Sequence, residues 1–537
     1  MSRCPRVLRE SNSQRPVRLL ACLLACLLAV ALQGCASLVP HEKVASNFLV
    51  APASSELADI AARSVDSAEG SAFRPIPFSD YSMDARLTLI RHASQSIDVQ
   101  YYLIGNDPTG RTLLKALRDA SQRGVRVRLL VDDLYTPDSA KLLAEFAEFK
   151  NVEVRVFNPF PAARESDGGR WLVALADVGR LNHRMHNKLL VVDGVFAVAG
   201  GRNMADEYFF RNREGNFIDF DLLVTGAAVS GLGRAFDLYW NSRRVFLLRD
   251  LELDDHDVAT GERIFDKVTA DADSAFPALH ATDRDVLDYA PLSSELGTKA
   301  LRLLHGNIRV VCDDPEKVSG RAESGSDATT VTSNVIEAIA GAKESVLLAS
   351  PYFVPGAASM KRLRQVRDNG VAVTVVTNSM ASNDEQLVSV AYSRYRVEML
   401  RSGVQIYEIS PNVIRQQHAL QENFGTAVGR LHAKIVVIDR RTTFVGSMNL
   451  DFRSSRENTE IGLFVDSPEL AGDVTELLDD VRAIGTYRLR LSSDSKRVEW
   501  VDTEPGSEKV YTDEPEVDWR TRLRLFILSP FVSEGLL

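Results

Sequence analysis

The sequence has few cysteines, no excess of positive charge, and no apolar run as long as a membrane span. Only five of its 537 residues are cysteine, and four of these lie in the first 35 positions, so the body has no internal disulfide framework. The formal net charge of −10 lacks the electrostatic footprint of a nucleic-acid binder, and we expect no nucleic-acid partner. No Cys/His cluster has metal-ligand spacing, so no metal and no other cofactor is predicted. The remaining composition, 45% apolar and 25% charged, is typical of a globular chain with two sizeable domains.

The N-terminus combines five arginines with the apolar run "LLACLLACLLAVAL", which is followed by "QGCAS". The run is short for a membrane span and typical of a signal-peptide core. "LQGC" resembles a bacterial lipobox, which implies cleavage before Cys35 and lipidation of its sulfur. An uncleaved anchor helix is the alternative. In both cases the body is tethered to a membrane, and we expect a bacterial envelope protein that faces the periplasm.

The stretch "RMHNKLLVVDG" predicts a buried strand, because Leu189–Val192 is aliphatic and an Asp-Gly turn follows it. Side chains two residues apart in an extended chain point to the same face, so His186 and Lys188 lie side by side. A single pair of this kind is typical of a solvated strand end. Whether this His-x-Lys pair is functional therefore depends on whether it recurs elsewhere in the chain.

That second copy is "RLHAKIVVIDRRTTFVGSMN", in which the same polar pattern recurs at a constant offset, 432 − 186 = 246. The positions His432, Lys434, Asp439, Gly446 and Asn449 match His186, Lys188, Asp193, Gly200 and Asn203. Upstream, "RGVRVRLLVDD" pairs with "NGVAVTVVTNS" at the same offset. The chain is therefore a tandem duplication of a unit of about 150 residues.

Strands that alternate with helices in each repeat predict an α/β fold with a mostly parallel or mixed sheet. The predicted segments are a signal peptide at 1–35, a polar linker at 36–80, a first domain at 81–245, a connector at 246–300, a second domain at 301–490 and a tail at 491–537. The tail contains "DWRTRLRLFILSPF", which mixes arginines with large apolar residues. This stretch either lies on an anionic membrane or packs on the body as a C-terminal helix.

The patterns "HxKxxxxDxxxxxxGGxN" and "HxKxxxxDxxxxxxGSxN", one in each half, resemble the paired HKD motifs of the phospholipase D superfamily. Further stretches, among them "VQYYLIGNDPTGRTLLKAL", "LNHRMHNK" and "SPYFVP", are similar to bacterial cardiolipin synthases, particularly the C-type branch. The resemblance implies two tandem α/β/α sandwich domains with the active site at their pseudo-twofold interface. It also implies a membrane-associated phosphatidyltransferase that joins a phosphatidyl group to phosphatidylglycerol through a phosphohistidine.

The chemistry of a phosphodiester fits these residue types. Its negative charge repels anionic nucleophiles, so a neutral imidazole is a suitable attacker, and lysines can offset charge that builds on the oxygens. By resemblance we expect His186 to be the nucleophile and His432 the acid and base. The side chains expected to bind the phosphate oxygens are Lys188, Lys434, Asn203, Asn449 and Ser447.

The acidic residues of the motifs are expected to have two different roles. Asp193 and Asp439 follow their lysines by an odd spacing that points them to the opposite strand face, so we interpret both as structural. Asp219 and Glu460 occupy matching strand positions and are expected to orient the imidazoles. Asp221 competes with Asp219 for that role.

Three functions remain open from the sequence. The leading one is phosphatidyl transfer between phospholipids, with phosphatidylglycerol and phosphatidylethanolamine as candidate substrates. The same site would hydrolyse phospholipids, or less readily nucleic acid, if water were the acceptor. A catalytically inactive lipid-binding envelope protein is the third, although both motif sets are intact. The need for an accessory protein is open. The choice of membrane is open as well: by resemblance to sorted lipoproteins Ala36 favours the outer membrane, whereas cardiolipin synthesis is usually an inner-membrane activity in bacteria.

Overall fold

The computed structural model describes residues 43–532 apart from 66, 68–69, 137, 161–177, 252–257, 299–300, 320–329, 413–426 and 504–508. The predicted signal peptide and Cys35 lie outside the described residues. Within the described part of the chain, no helix is both long and apolar enough to cross a bilayer.

The strands and helices alternate along most of the described chain. The strands of the first half are β1 (Ser71–Ile76), β2 (Ser96–Tyr101), β3 (Arg126–Asp132), β4 (Val152–Phe157), β5 (Leu189–Val192), β6 (Phe196–Gly200), β7 (Gly215–Ile218), β8 (Asp221–Gly226) and β9 (Val245–Leu247). The strands of the second half are β10 (Leu304–Cys312), β11 (Ser345–Ala349), β12 (Ala372–Asn378), β13 (Gln405–Ile409), β14 (Val428–Leu431), β15 (Ile435–Ile438), β16 (Thr442–Gly446), β17 (Ile461–Asp466), β18 (Thr486–Leu491), β19 (Val498–Asp502) and β20 (Val510–Tyr511). The α-helices are α1 (Glu56–Arg63), α2 (Ser79–His92), α3 (Pro108–Gln122), α4 (Ala140–Ala147), α5 (Val178–Leu181), α6 (Ala227–Trp240), α7 (Val258–Val268), α8 (Leu292–Thr298), α9 (Val331–Ala340), α10 (Gly356–Asp368), α11 (Gln386–Arg401), α12 (Pro468–Ile484) and α13 (Trp519–Leu528).

Eighteen of the described strands form one continuous mixed sheet. Its order is β9-β4-β3-β2-β5-β6-β8-β1-β10-β17-β16-β15-β11-β12-β13-β18-β19-β20. Strands β2, β3 and β4 pair in parallel, as do β11, β12 and β13, and the pairs nearer the centre are antiparallel. Read outward from β1 and β10, the two halves have the same order. The predicted α/β fold and the duplication are both present.

The two halves are joined at the centre of this sheet, where β1 pairs with β10 from Ser71–Gly306 to Phe73–Leu304. The predicted linker at 36–80 is therefore wrong for residues 56–63, which form α1, and for residues 71–76, which form the fully buried β1. Sequence patterning missed β1 because it lies outside the repeated motifs and contains Pro75, a residue disfavoured in sheets. The proline is tolerated because it lies beyond the three residues that pair with β10.

Three large apolar clusters hold the helices and the sheet together. One lies under the helices of the first half and another under those of the second. The third contains residues of both halves, including Phe73 and Leu189 with Leu347 and Ile435, and it is covered by α6 and α12. Because side chains of both halves interdigitate in this cluster, the relative position of the two repeats is fixed by close packing.

The second half extends further along the chain than predicted. Strands β18, β19 and β20 lengthen the sheet beyond residue 490. The buried Arg396 pairs with Glu408 and with Glu514, while the Trp500 indole donates to Glu408 at 2.9 Å. Residues assigned to a tail at 491–537 thus belong in part to the second domain. The pattern missed them because β19 and β20 are short and partly exposed.

The motif aspartates occupy turns whose backbone lies in the left-handed region, with φ of 52° at Asp193 and at Asp439. The buried Asp193 carboxylate accepts hydrogen bonds of 2.8–3.0 Å from the backbone N–H groups of Ser94–Ser96. Asp439 makes the matching bonds to the N–H groups of Lys343–Ser345. Each carboxylate thus ties its turn to the loop before a parallel strand, and these bonds go to loop backbone rather than to a histidine.

We predict that Asp193→Asn lowers stability by about 1–3 kcal/mol, because an amide nitrogen would face backbone donors that need an acceptor. The turnover per folded molecule should stay close to that of the parent protein. Thermal melts together with rates normalised to folded protein test this, and Asp439→Asn is the matched variant in the second half. A variant that melts normally but has no activity would contradict the structural interpretation.

Candidate active site

Each motif histidine lies just before a buried strand and is fixed by a backbone bond to the opposite half. The N–H of His432 donates to the carbonyl of Ile218 at 2.7 Å, beside the parallel pair of β7 and β14. The N–H of His186 donates to the carbonyl of Thr459 at 2.9 Å, where Met185 and Thr459 form an isolated parallel bridge. Ile218 and Thr459 are the residues immediately before the two predicted orienting acids.

The acids contact the imidazoles crosswise. Nδ1 of His432 lies 2.5 Å from Oδ2 of Asp219, and Nδ1 of His186 lies 3.0 Å from Oε2 of Glu460. Each pair joins one half of the chain to the other. The histidines are nearly buried and both carboxylates are fully buried. Sequence reasoning selected these two acids, but it did not predict that each serves the histidine of the other repeat.

Asp221, the alternative to Asp219 as the acid that orients an imidazole, bonds to other groups instead. Its carboxylate forms ion pairs of 3.1 Å with the buried Arg86 and Arg202, and it accepts a bond of 2.8 Å from the Ser82 hydroxyl. It therefore belongs to a buried charge network behind the site.

Glu460 is held by two serines, one of which was expected to do something else. The Ser447 hydroxyl donates to Oε2 of Glu460 at 2.5 Å, and the Ser454 hydroxyl donates to Oε1 at 2.8 Å. The Ser447 hydroxyl is thus hydrogen-bonded to Glu460 in this structure, and its predicted contact with phosphate stays a prediction. At the matching Gly201, a Cβ atom would lie only 2.0 Å from Oδ1 of Asp219, so a side chain there would displace that carboxylate.

The two lysines lie beside their own histidines. Nζ of Lys434 is 2.9 Å from Nδ1 and 3.0 Å from Nε2 of His432, whereas Nζ of Lys188 donates to the carbonyl oxygen of His186 at 2.7 Å. Both lysines are buried. Burial lowers the pKa of Lys434 to about 8, although Asp219 and other nearby carboxylates oppose the shift. Burial also lowers the pKa of Lys188 well below its ordinary range.

The motif asparagines also face the interior. Nδ2 of Asn203 donates to the Tyr208 hydroxyl at 2.8 Å, and the backbone N–H of Asn449 donates to Oγ of Ser454 at 3.0 Å. Both Oδ1 atoms are buried without a hydrogen-bond partner among the described residues. Their predicted contact with phosphate stays a prediction.

Burial and neighbouring cations keep both imidazoles neutral. Burial, with Lys188 and Lys434, lowers the pKa of His186 well below its usual 6.5. Burial and Lys434 lower the pKa of His432 to about 4, although the contact with Asp219 raises it. A bound phosphodiester would add negative charge and raise both values.

The pKa values of the two carboxyl groups that contact the imidazoles are shifted in opposite directions. Burial raises the pKa of Glu460 to about 7, which the charge of Lys188 only partly offsets. Burial acts in the same direction on Asp219, but His432, its hydrogen bond and Lys434 outweigh it and lower the pKa to about 2. The His432 pair therefore contains an ionised carboxylate, whereas the carboxyl group beside His186 is close to half protonated at neutral pH.

Aromatic rings line the imidazoles. The ring of Tyr102 lies 5.0 Å from that of His186, and the rings of Tyr208 and Phe217 lie 5.0 and 4.9 Å from that of His432. Sequence reasoning missed Tyr208, Phe217 and Ser454. A signal existed for two of them, since Tyr208 and Ser454 both follow their motif asparagine by five residues.

The site contains imidazoles, ammonium groups and carboxylates paired with one another. Among the residues that the structure describes, no cluster of three His, Cys, Asp or Glu side chains could hold a metal ion. The arrangement can place one imidazole against each side of a phosphorus atom, with a lysine beside each. This suits in-line displacement at a phosphodiester.

Comparison with known proteins identifies the family. The profile of the cardiolipin synthase, phospholipase D-like domain matches twice, at residues 87–240 and 335–482. Cardiolipin synthase C of Escherichia coli is 34% identical over 86% of this chain and 95% of its own length. A cardiolipin synthase of Staphylococcus aureus is 26% identical over 78% of this chain and 68% of its own.

A solved structure supports the fold. The phosphatidylserine synthase of Haemophilus influenzae superimposes with a TM-score of 0.56 at 13% identity, covering 89% of this chain and 98% of the other. At this level of identity the likeness concerns the fold alone. With two profile matches on the two halves of one duplicated sheet, the chain belongs to the phospholipase D superfamily, as an enzyme of the cardiolipin synthase family.

Proposed function

We propose that this enzyme transfers a phosphatidyl group from one phospholipid to phosphatidylglycerol, giving cardiolipin. The observation that carries the proposal is the crosswise pair of imidazoles, each held by a buried carboxylate of the other half and accompanied by a buried lysine. The similarity to cardiolipin synthases supports the choice of substrate class. Phosphatidylglycerol or phosphatidylethanolamine serves as donor.

The first displacement assigns one role to each histidine. Nε2 of His186 attacks the phosphorus of the donor and forms an N–P bond, while the P–O bond to the headgroup alcohol breaks. His432, protonated in the complex with the anionic phosphodiester, donates its proton to the leaving oxygen. The products are a phosphatidyl-histidine at His186 and free ethanolamine or glycerol.

The second displacement reverses the proton transfer. His432, now neutral, takes the proton from a hydroxyl of phosphatidylglycerol as that oxygen attacks phosphorus and the N–P bond breaks. Cardiolipin leaves, His186 is neutral again and His432 carries the proton. Lys188, Lys434, Asn203 and Asn449 contribute the charge and the donors for the phosphate oxygens.

The difference between the acids supports this division of roles. An ionised carboxylate 2.5 Å from Nδ1 of His432 stabilises the imidazolium that a general acid requires. The carboxyl group of Glu460, with its raised pKa, stabilises a cation less, which suits a histidine that attacks in its neutral form.

Replacing either histidine with alanine should lower turnover by about a thousandfold or more, because nucleophile and acid act in the same step. Wild-type protein quenched with denaturant at mildly alkaline pH, where the N–P bond survives, should carry a phosphatidyl adduct on the peptide that contains His186, detectable by mass spectrometry. An adduct on the His432 peptide alone would reverse the assigned roles, and near-normal activity in one folded variant would contradict the two-histidine mechanism.

The two acids should affect the pH dependence of stability in opposite ways. The Glu460 pKa is raised to about 7 from its ordinary 4.5, so the stability it contributes is complete below the ordinary value and is lost as pH rises through the folded value. Glu460→Gln should therefore weaken the fall in melting temperature between about pH 5 and 8. Asp219, with its pKa lowered to about 2, contributes stability that is lost only as the solution becomes strongly acidic.

Asp219→Asn is accordingly the matched control. This variant should not change the slope of melting temperature against pH between mildly acidic and mildly alkaline solution. It should remove part of the loss of stability in strong acid. Melting curves across the pH range measure both effects. If melting temperature depended on pH in the same way in both variants, the pKa values of Glu460 and Asp219 would not differ in opposite directions.

Liposomes that contain phosphatidylglycerol and phosphatidylethanolamine should yield cardiolipin together with free ethanolamine or glycerol. Exclusion of water while a headgroup hydroxyl is bound favours transfer over hydrolysis. Mass spectrometry of the extracted lipids measures the product, with His186→Ala as the control. Accumulation of phosphatidic acid without cardiolipin, even when phosphatidylglycerol is abundant, would identify a hydrolase instead.

A further inference from the structure

The C-terminal helix α13 presents large apolar side chains to solvent. The exposed fractions are 68% for Trp519, 52% for Leu523, 78% for Phe526 and 59% for Ile527. These residues recur at the helical spacing of three, four and eight positions, so they form one continuous stripe. A stripe of this size on a single short helix marks an interaction surface.

The inward face of the helix anchors it to the second half. Leu525, only 4% exposed, packs in a small cluster with Met380 and Val390. Just beyond the helix, the guanidinium of Arg394 donates to the carbonyl of Ser529 at 2.8 Å. The exposed stripe is therefore presented by a helix that is held in place on α11.

The helix is linked to the surroundings of the active site through the start of α11. Arg524 of α13 donates to Oε1 of Gln386, the first residue of α11, at 2.5 Å. Two residues earlier, Asp384 accepts a bond of 2.7 Å from the Tyr352 hydroxyl. The charge of Asp384 also acts on the pKa of Lys434, which places that carboxylate within electrostatic range of the site. The stripe thus lies on the side of the second half that carries the start of α11 and the site.

The charge of the helix selects an anionic surface. The chain as a whole carries −10, yet α13, "WRTRLRLFIL", has three arginines and no acidic residue. Arg520 and Arg524 flank the apolar stripe. A helix with apolar side chains on one face and arginines at its borders is suited to lie in the headgroup region of an anionic bilayer.

We propose that α13 docks the enzyme on an anionic phospholipid bilayer, with its apolar stripe among the acyl chains and Arg520 and Arg524 at the phosphates, so that the active site opens toward the headgroups. The inference rests on the proposed function, because substrates that reside in a bilayer require the site to face it. Trp519 and Phe526 enter the interface by about 5–10 Å, as amphipathic helices do.

The test uses the full chain reconstituted into phosphatidylglycerol-containing vesicles whose acyl chains are brominated. The emission of Trp519, obtained as the difference between the parent protein and Trp519→Phe, should be quenched. The other three tryptophans, Trp171, Trp240 and Trp500, are present in both proteins, so their emission cancels in the difference. The double variant Leu523→Ser with Phe526→Ser should lose most of this quenching. Leu238→Ser, a change at an exposed leucine on α6, is the matched control and should retain it.

Activity on two forms of substrate gives a second readout. The double variant should lower the rate on vesicles by at least about tenfold, since two large apolar side chains no longer enter the bilayer. Its rate on short-chain phospholipids dispersed as monomers should equal that of the parent protein.

Three outcomes would overturn the docking: unquenched Trp519 emission, quenching that survives in the double variant, or a dimer of the parent protein that the double variant abolishes, which would assign the stripe to a second copy. Quenching without cardiolipin formation would support the docking and reject the proposed transferase. Cardiolipin formation without quenching would reject the docking alone.

Discussion

The contact on which the site depends is the bond between each imidazole and a carboxylate of the opposite repeat. Nδ1 of His432 reaches Asp219, and Nδ1 of His186 reaches Glu460. Neither half contains a complete pair, so everything that fixes the halves relative to one another also fixes the chemistry. The β1–β10 pairing, the shared apolar cluster and the backbone bonds to Ile218 and Thr459 all serve this purpose.

Local sequence signals predicted the elements of the fold, and the repeat predicted their arrangement. The constant offset between His186 and His432 predicted two equivalent halves, and Asp193-Gly194 predicted the turn that the structure contains. The position of β1 could not be predicted in the same way. It lies outside the repeated motifs, and its place at the centre of the sheet depends on a partner, β10, more than two hundred residues away in the sequence.

Within the site, residue type predicted which side chains lie together but not which of them form hydrogen bonds with one another. The matching positions of Asp219 and Glu460 identified two acids, whereas the crosswise assignment depends on how the halves face each other. The hydrogen-bond partner of Ser447, which lies in the same repeat, could not be predicted from the sequence either. The Ser447 hydroxyl could serve a ligand or a neighbouring carboxylate, and only the side-chain geometry shows that it is hydrogen-bonded to Glu460.

The pairing of Gly201 with Asp219, against Ser447 with Glu460, has a consequence for how such a chain evolves. If two identical subunits formed the site, every substitution would appear on both sides of the phosphorus at once, and the acids would have to stay alike. A fused duplicate removes that constraint. One repeat places a glycine backbone against the shorter acid, Asp219, and the other pairs the longer acid, Glu460, with the Ser447 hydroxyl. Covalent fusion therefore allows the two copies to differ in residues that symmetry would keep identical.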